Sequence, residues 1–171
     1  MLGKKAYALA EFMVASFIVV ILFTSTLGVY VMIRAFSSSS IAEENLQRDI
    51  NGVMSQIVRG MKENGGFYGL RSAVSVTSLS PTKIDYKGTD GNVREYNLSN
   101  GGLIYTSPTA SPKIQTIYSP PANSTMTLQF WWASADQETV GMYLSVTQRV
   151  ADRPISGSVS TYVNLRNMQK S

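Results

Sequence analysis

Two residue types are missing altogether: the 171-residue chain has no cysteine and no histidine. Without cysteine, no disulfide braces the fold and no thiolate can serve as nucleophile or metal ligand. Without histidine, the commonest general base and the commonest transition-metal ligand are gone as well. Charge is scarce too, at 15% of residues with a formal net charge of +4, a balance that calls for no nucleic-acid partner. Only Arg59, Lys62 and Arg71 approach a basic cluster. Nucleophilic catalysis would have to come from a serine–lysine pair, and Lys83, Lys87 and Lys113 have no nucleophile motif near them. These absences argue against an enzyme and imply no cofactor. Asp85, Asp90, Asp136 and Asp152 are scattered, without the dense carboxylate spacing of a calcium loop, so no metal site is expected, and Asp90-Gly91 reads as hairpin turn chemistry.

The longest gap in charge runs from Ala8 to Ile33 and holds one charged residue, Glu11. As a helix this stretch is about 39 Å long, enough to cross a hydrocarbon core of roughly 30 Å. Lys4 and Lys5 precede it and only Arg34 follows closely. That bias keeps the short leader cytoplasmic and exports the bulk of the chain. A secretory signal would have an apolar region of about 7–15 residues followed by a small-x-small cleavage site. Here the apolar run continues through Tyr30, Val31, Met32 and Ile33 with no such site. A plain anchor fits the length but leaves Glu11 unexplained, since a lone carboxylate in lipid needs a partner or a purpose.

The segment Ala6-Tyr7-Ala8-Leu9-Ala10-Glu11-Phe12-Met13-Val14 resembles the N-terminus shared by type IV pilins and type II secretion pseudopilins. The resemblance implies cutting by a prepilin peptidase between Ala6 and Tyr7, methylation of the new amine on Tyr7, and Glu11 as the fifth residue of the mature chain. The family mostly has Gly before the cut and Phe after it, where this chain has Ala6 and Tyr7; Ala8 and Ala10 replace the more usual Thr and Ile. Gly3 is excluded as the cleavage residue, because Lys4 and Lys5 would then enter the membrane at roughly 2.5–3.5 kcal/mol each. Removing those two lysines from 15 basic residues leaves 13 against 11 acidic ones.

In a filament of stacked helices, the Tyr7 amine of one subunit and Glu11 of an earlier-docked neighbour would neutralise each other away from water and set the axial register. The implied partners are the peptidase, other pilins or pseudopilins, an inner-membrane platform protein, an assembly ATPase and the membrane itself. The implied location is the inner membrane as a single-pass precursor with an exported head, then the filament. A major pilin, or a membrane-anchored binding module such as an adhesin, is the competing expectation.

Beyond Ile33 the apolar residues Ile41, Leu46, Ile50, Val53, Met54, Ile57, Val58 and Met61 recur at three- and four-residue spacing, which predicts an amphipathic continuation of the helix. The run Ser37–Ser40 predicts a bend or short unwinding, Gly28 a point of flexure or close packing, and Asn64-Gly65-Gly66 the helix stop. Strands are expected over Ala73–Leu79, Thr82–Lys87, Val93–Leu98, Gly102–Thr106, Lys113–Tyr118, Thr125–Trp132, Val140–Val150 and Ser158–Val163, with a turn at Arg153-Pro154. The organisation is therefore a leader (1–6), an apolar helix (7–34), an amphipathic half-helix (35–64) and a β-rich head (65–171), with fold class α+β: a long N-terminal helix packed on an antiparallel sheet.

Leu46-Gln47-Arg48-Asp49-Ile50, Asn100-Gly101-Gly102-Leu103 and Val163-Asn164-Leu165-Arg166-Asn167 loosely resemble J-type minor pseudopilins and W-type minor pilins. In Phe130-Trp131-Trp132, strand alternation turns Leu128, Phe130 and Trp132 to one face and Trp131 to the other. The first face reads as core, and Trp131 as either packing or a contact for a neighbour or ligand.

Overall fold

The computed structural model describes residues 2–60, 62–63, 66–107, 113–150 and 153–165, with side chains from Leu9 onward except at Glu63 and Gly66. The chain opens with one helix, α1 (Leu2–Arg59). No proline occurs before Pro81, so no ring interrupts the helical hydrogen-bond ladder. Two compact units divide the chain, residues 1–41 and 42–171.

In the first unit every side chain from Leu9 to Ser38 is exposed; Phe12 is 74% exposed. A helix that is apolar on all sides belongs inside a larger core or a membrane. This one is long and apolar enough to cross a bilayer. Its hydroxyls are satisfied within the helix. Ser16 donates to the Phe12 carbonyl at 2.8 Å, Thr24 to Val20 at 2.8 Å, Ser25 to Ile21 at 2.7 Å and Thr26 to Leu22 at 2.8 Å. Those hydroxyls therefore need no water, as a hydrocarbon setting requires.

The unwinding expected at Ser37–Ser40 does not occur, and the run is helical throughout. Ser38 and Ser39 donate to the Ala35 carbonyl at 3.0 and 3.2 Å. The hydroxyls bond along the helix instead of competing with it.

In the second unit Leu46, Ile50, Val53, Met54 and Ile57 turn one helix face into the core, each at most 6% exposed. Ile41, expected on that face, is 57% exposed. It falls on the last residue of the first unit. The helix stops at Arg59, earlier than Asn64-Gly65-Gly66 suggests, and of that triplet Asn64 and Gly65 lie outside the described residues. Gly60 takes φ +89° and donates to the Gln56 carbonyl at 2.8 Å, a left-handed stop that favours glycine. A Cβ on Gly60 would overlap the Gly69 backbone, and one on Gly69 the Gly60 backbone. The chain crosses itself there at backbone contact. Two short strands, β1 (Lys62–Glu63) and β2 (Gly66–Phe67), pair between the two glycines.

Five strands follow as an antiparallel meander: β3 (Ser75–Ser80), β4 (Lys83–Lys87), β5 (Val93–Ser99), β6 (Gly102–Ser107) and β7 (Lys113–Tyr118). The β5–β6 turn is Asn100-Gly101, both at positive φ (51° and 74°), the conformation that Asn-Gly supplies to a two-residue hairpin. A second sheet holds β8 (Ser124–Trp132), β9 (Thr139–Val150) and β10 (Arg153–Asn164) in the order β10-β9-β8.

Strand β10 starts earlier than its apolar pattern indicates, and Pro154, expected in a turn, pairs with Arg149 inside the ladder. Proline is tolerated because β10 is an edge strand with a free side. The two sheets meet where the Phe130 amide donates to the Pro81 carbonyl at 2.9 Å. Inner-face residues of both sheets, among them Ile84, Tyr96, Leu103, Leu128, Met142, Leu144 and Val163, share one core with the helix face. The α+β class expected from sequence is the class observed.

Candidate functional site

Glu11 is exposed on the first unit, in a shallow groove lined by Ala10, Val14, Ala15 and Ile18. Positions 11, 14, 15 and 18 form one helical stripe. The two alanines keep the rim low, so an approaching helix could reach the carboxylate. Among the described residues Glu11 makes no ion pair. Ala6 and Tyr7 lie in α1, and their side chains are outside the described residues. Helical spacing sets Tyr7 one turn before Glu11.

The head contains a charged cluster that sequence reasoning did not find. Arg94 on β5 is 2% exposed. Its Nη1 and Nη2 donate to Asp90 Oδ1 and Oδ2 at 2.8 and 2.7 Å, and its guanidinium lies 4.1 Å over the Tyr68 ring. Asp90 also accepts from the Asn92 amide at 3.2 Å and side chain at 2.9 Å. The Arg94 hydrogen bonds hold the Asp90 carboxyl well below its usual range. Gly88 is needed beside this pair, since a Cβ there would come within 2.5 Å of Arg94 Nη1. Asp90-Gly91 thus serves the β4–β5 turn, as its chemistry suggests, and also neutralises a buried cation. The available signal was a lone arginine two residues before core Tyr96, and so on the same face of β5.

Beside Arg94 run three buried tyrosines, one from each neighbouring strand. Tyr86 and Tyr96 stack at 5.7 Å, and Tyr96 and Tyr105 meet at 5.0 Å. The Tyr86 hydroxyl donates to the Tyr68 carbonyl at 2.6 Å, and burial pushes its phenol far above the ordinary value. On the opposite face of the same sheet Lys83 pairs with Glu95 at 3.0 Å and Asp85 at 3.3 Å. Glu95 first, then Asp85, raise the lysine amine above its ordinary range and keep it protonated.

Trp131 lies on the outer face of the three-stranded sheet, opposite buried Leu128 and Phe130, and is half-buried. Its cross-strand partner is Gly141. A Cβ at Gly141 would overlap Cε2, Nε1 and Cζ2 of the indole, so the ring lies flat across the central strand. Tyr162, 65% exposed, stands beside it with ring planes at 89° and centroids 6.1 Å apart. Trp132 faces inward and packs against the core.

Other candidates are spread out. Asp85 belongs to the Lys83 pair, Asp136 is exposed in the β8–β9 loop, and Asp152 is outside the described residues. Among the described residues no three metal-ligating side chains converge. Arg59 and Arg71 line one shallow cleft with Phe67 at the end of the helix.

These observations define a class by architecture: a long helix whose apolar stretch from Ala8 to Ile33 carries a single acid, followed by an α+β head with one five-stranded, one three-stranded and one two-stranded antiparallel sheet. Comparison with protein-family models, with curated proteins and with solved structures finds no match to the chain.

Proposed function

We propose that the chain is a structural subunit, a minor pilin or pseudopilin, of a type IV pilus-like or type II secretion filament. It is made as an inner-membrane precursor with its head exported, cut between Ala6 and Tyr7 by a prepilin peptidase, and assembled through α1. The observation that carries this reading is Glu11, the one charge between Ala8 and Ile33, exposed in a groove edged by two alanines. In lipid that carboxylate is a burden. In a filament it meets the Tyr7 amine of the next subunit, and a mispaired charge on either side disfavours wrong docking. Moving from lipid to neighbouring helices exchanges one apolar setting for another, so extraction is driven by the platform protein and assembly ATPase.

Glu11→Ala in cells tests the reading. The variant should reach the membrane at wild-type level and be missing from sheared filaments. Normal incorporation would sink the proposal. Intact mass of the membrane-extracted protein is the companion measurement, expected to show loss of residues 1–6 and one added methyl group. Abundance in the sheared fraction separates a minor from a major subunit. The Trp131–Tyr162 pair on the outer face of the three-stranded sheet favours a second reading, an anchored binding head, which Glu11→Ala would leave at the surface with its ligand binding intact.

A further inference from the structure

The outer face of the three-stranded sheet differs in chemistry from that of the five-stranded sheet. The register sets four rungs across it: Trp131–Gly141–Tyr162, Gln129–Tyr143–Ser160, Thr127–Ser145–Ser158 and Thr125–Thr147–Ser156. None of these residues is charged. The outer face of the five-stranded sheet, by contrast, carries Lys83, Asp85 and Glu95. Thr125, Thr127, Gln129, Ser156, Ser158 and Ser160 are all exposed. Ladder pairing engages the backbone of the central strand on both sides, so from its side chains the face offers hydroxyls, the Gln129 amide and the Trp131 indole N–H for hydrogen bonding. One end of it holds the flat indole of Trp131, with the phenol of Tyr162 upright beside it.

We infer that this face binds a neutral carbohydrate, with Trp131 as the stacking floor, Tyr162 as the side wall and the Ser/Thr rows as hydrogen-bonding partners. A sugar ring has an apolar C–H face and a rim of hydroxyls, and each finds its counterpart here. The indole π-face takes the C–H bonds, and the hydroxyl rows and Gln129 exchange donors and acceptors with the rim. An ionic ligand finds no opposite charge on these four rungs; the exposed Arg149, on the next rung of the same face, lies at the end away from Trp131. A protein partner would need an apolar centre larger than one aromatic corner, and would leave the hydroxyl rows stripped of water. Gly141 is what makes the floor flat, because any side chain there would tilt the indole off the sheet.

The test uses the full chain in a zwitterionic detergent without sugar headgroups, titrated with neutral hexasaccharides of glucose, mannose and N-acetylglucosamine and followed by isothermal titration calorimetry for wild type and variants alike, with tryptophan fluorescence as a second readout for wild type. At least one should bind saturably, with an affinity unchanged by added salt. Trp131→Ala should weaken binding by about ten-fold or more. Tyr162→Ser, which removes an exposed ring and leaves the core untouched, should weaken it less while the thermal transition stays put. The proposal is overturned if no neutral hexasaccharide binds saturably, or if Trp131→Ala binds as well as wild type. It is equally overturned if Trp131 becomes shielded from acrylamide quenching as protein concentration rises without sugar, which would mark the face as a contact between copies. The inference goes beyond the filament reading. Glu11→Ala should leave the titration unchanged, so either idea can fail alone.

Discussion

Arg94 brings a full positive charge into the head and keeps almost none of its water. What makes this tolerable is a two-pronged carboxylate from Asp90 and the face of Tyr68. Breaking a buried pair by deleting one partner leaves the other charge stranded, so Asp90→Ala should cost about 3 kcal/mol in urea unfolding. Asp90→Asn, which keeps one acceptor, should cost less. The pH dependence follows from the direction of the shift. Asp90 is held below its ordinary value of 3.8, so its contribution is complete above that value and is lost as pH falls through the folded-state value. The gap in stability between wild type and Asp90→Ala should therefore be constant near neutral pH and narrow below about pH 4. A gap that does not narrow would rule out the pair as its source.

The turn role of Asp90-Gly91 was legible from two adjacent letters. The buried arginine was not, because its burial depends on Tyr68, brought over it from outside the hairpin. The positions of Glu11 on the apolar helix and of Trp131 off the core face of its strand were legible for the opposite reason. An isolated acid in an apolar run and an aromatic on the alternate phase of a strand are both local patterns.

Among the elements, α1 was the easiest to read and its end the hardest. Helical spacing located the buried face through Ile57. The stop at Gly60 is decided by the crossing with Gly69, a contact that no window of adjacent letters contains. Ala at position 60 would add strain at φ +89° and overlap with backbone. Gly60→Ala should thus destabilise the head by about 2–4 kcal/mol, read as a lowered urea midpoint. The serine run is the reverse case. Since Ser38 and Ser39 back-bond along the helix, replacing both with Ala should leave helix content by circular dichroism unchanged or slightly raised. A fall would mean the hydroxyls hold the helix through some contact other than Ala35 and Phe36. Strand β10 illustrates why edges are misread: its early residues alternate weakly, and Pro154 resembles punctuation until the free side of the strand is known.

At the scale of the whole molecule, the core among the described residues is confined to the second unit, and α1 contributes one wall of it from Leu46 to Ile57. Gly157 fits beneath that wall, where a Cβ would come within 2.8 Å of Ile50 Cδ1, and Gln47 Nε2 donates to the Ser158 carbonyl at 3.2 Å. A chain beginning at Ala42 should retain a cooperative thermal transition. One beginning at Met61 should lose it, since the sheets would then expose the surface that Leu46, Ile50, Val53, Met54 and Ile57 cover. The α+β class was readable at this scale because a change of period from helix to strand marks where one kind of element gives way to the other.

The apolar half of α1 also has a bearing on biosynthesis. It precedes every strand, so it leaves the ribosome while the residues that build the sheets are still unmade. No strand of the head has been made by then to meet Phe12, Phe17 or Phe23, exposed at 74%, 68% and 67% even in the finished fold. On the filament reading, a delivery factor that takes up this helix as it emerges would do so before the head exists, and the head would mature only after that delivery has begun.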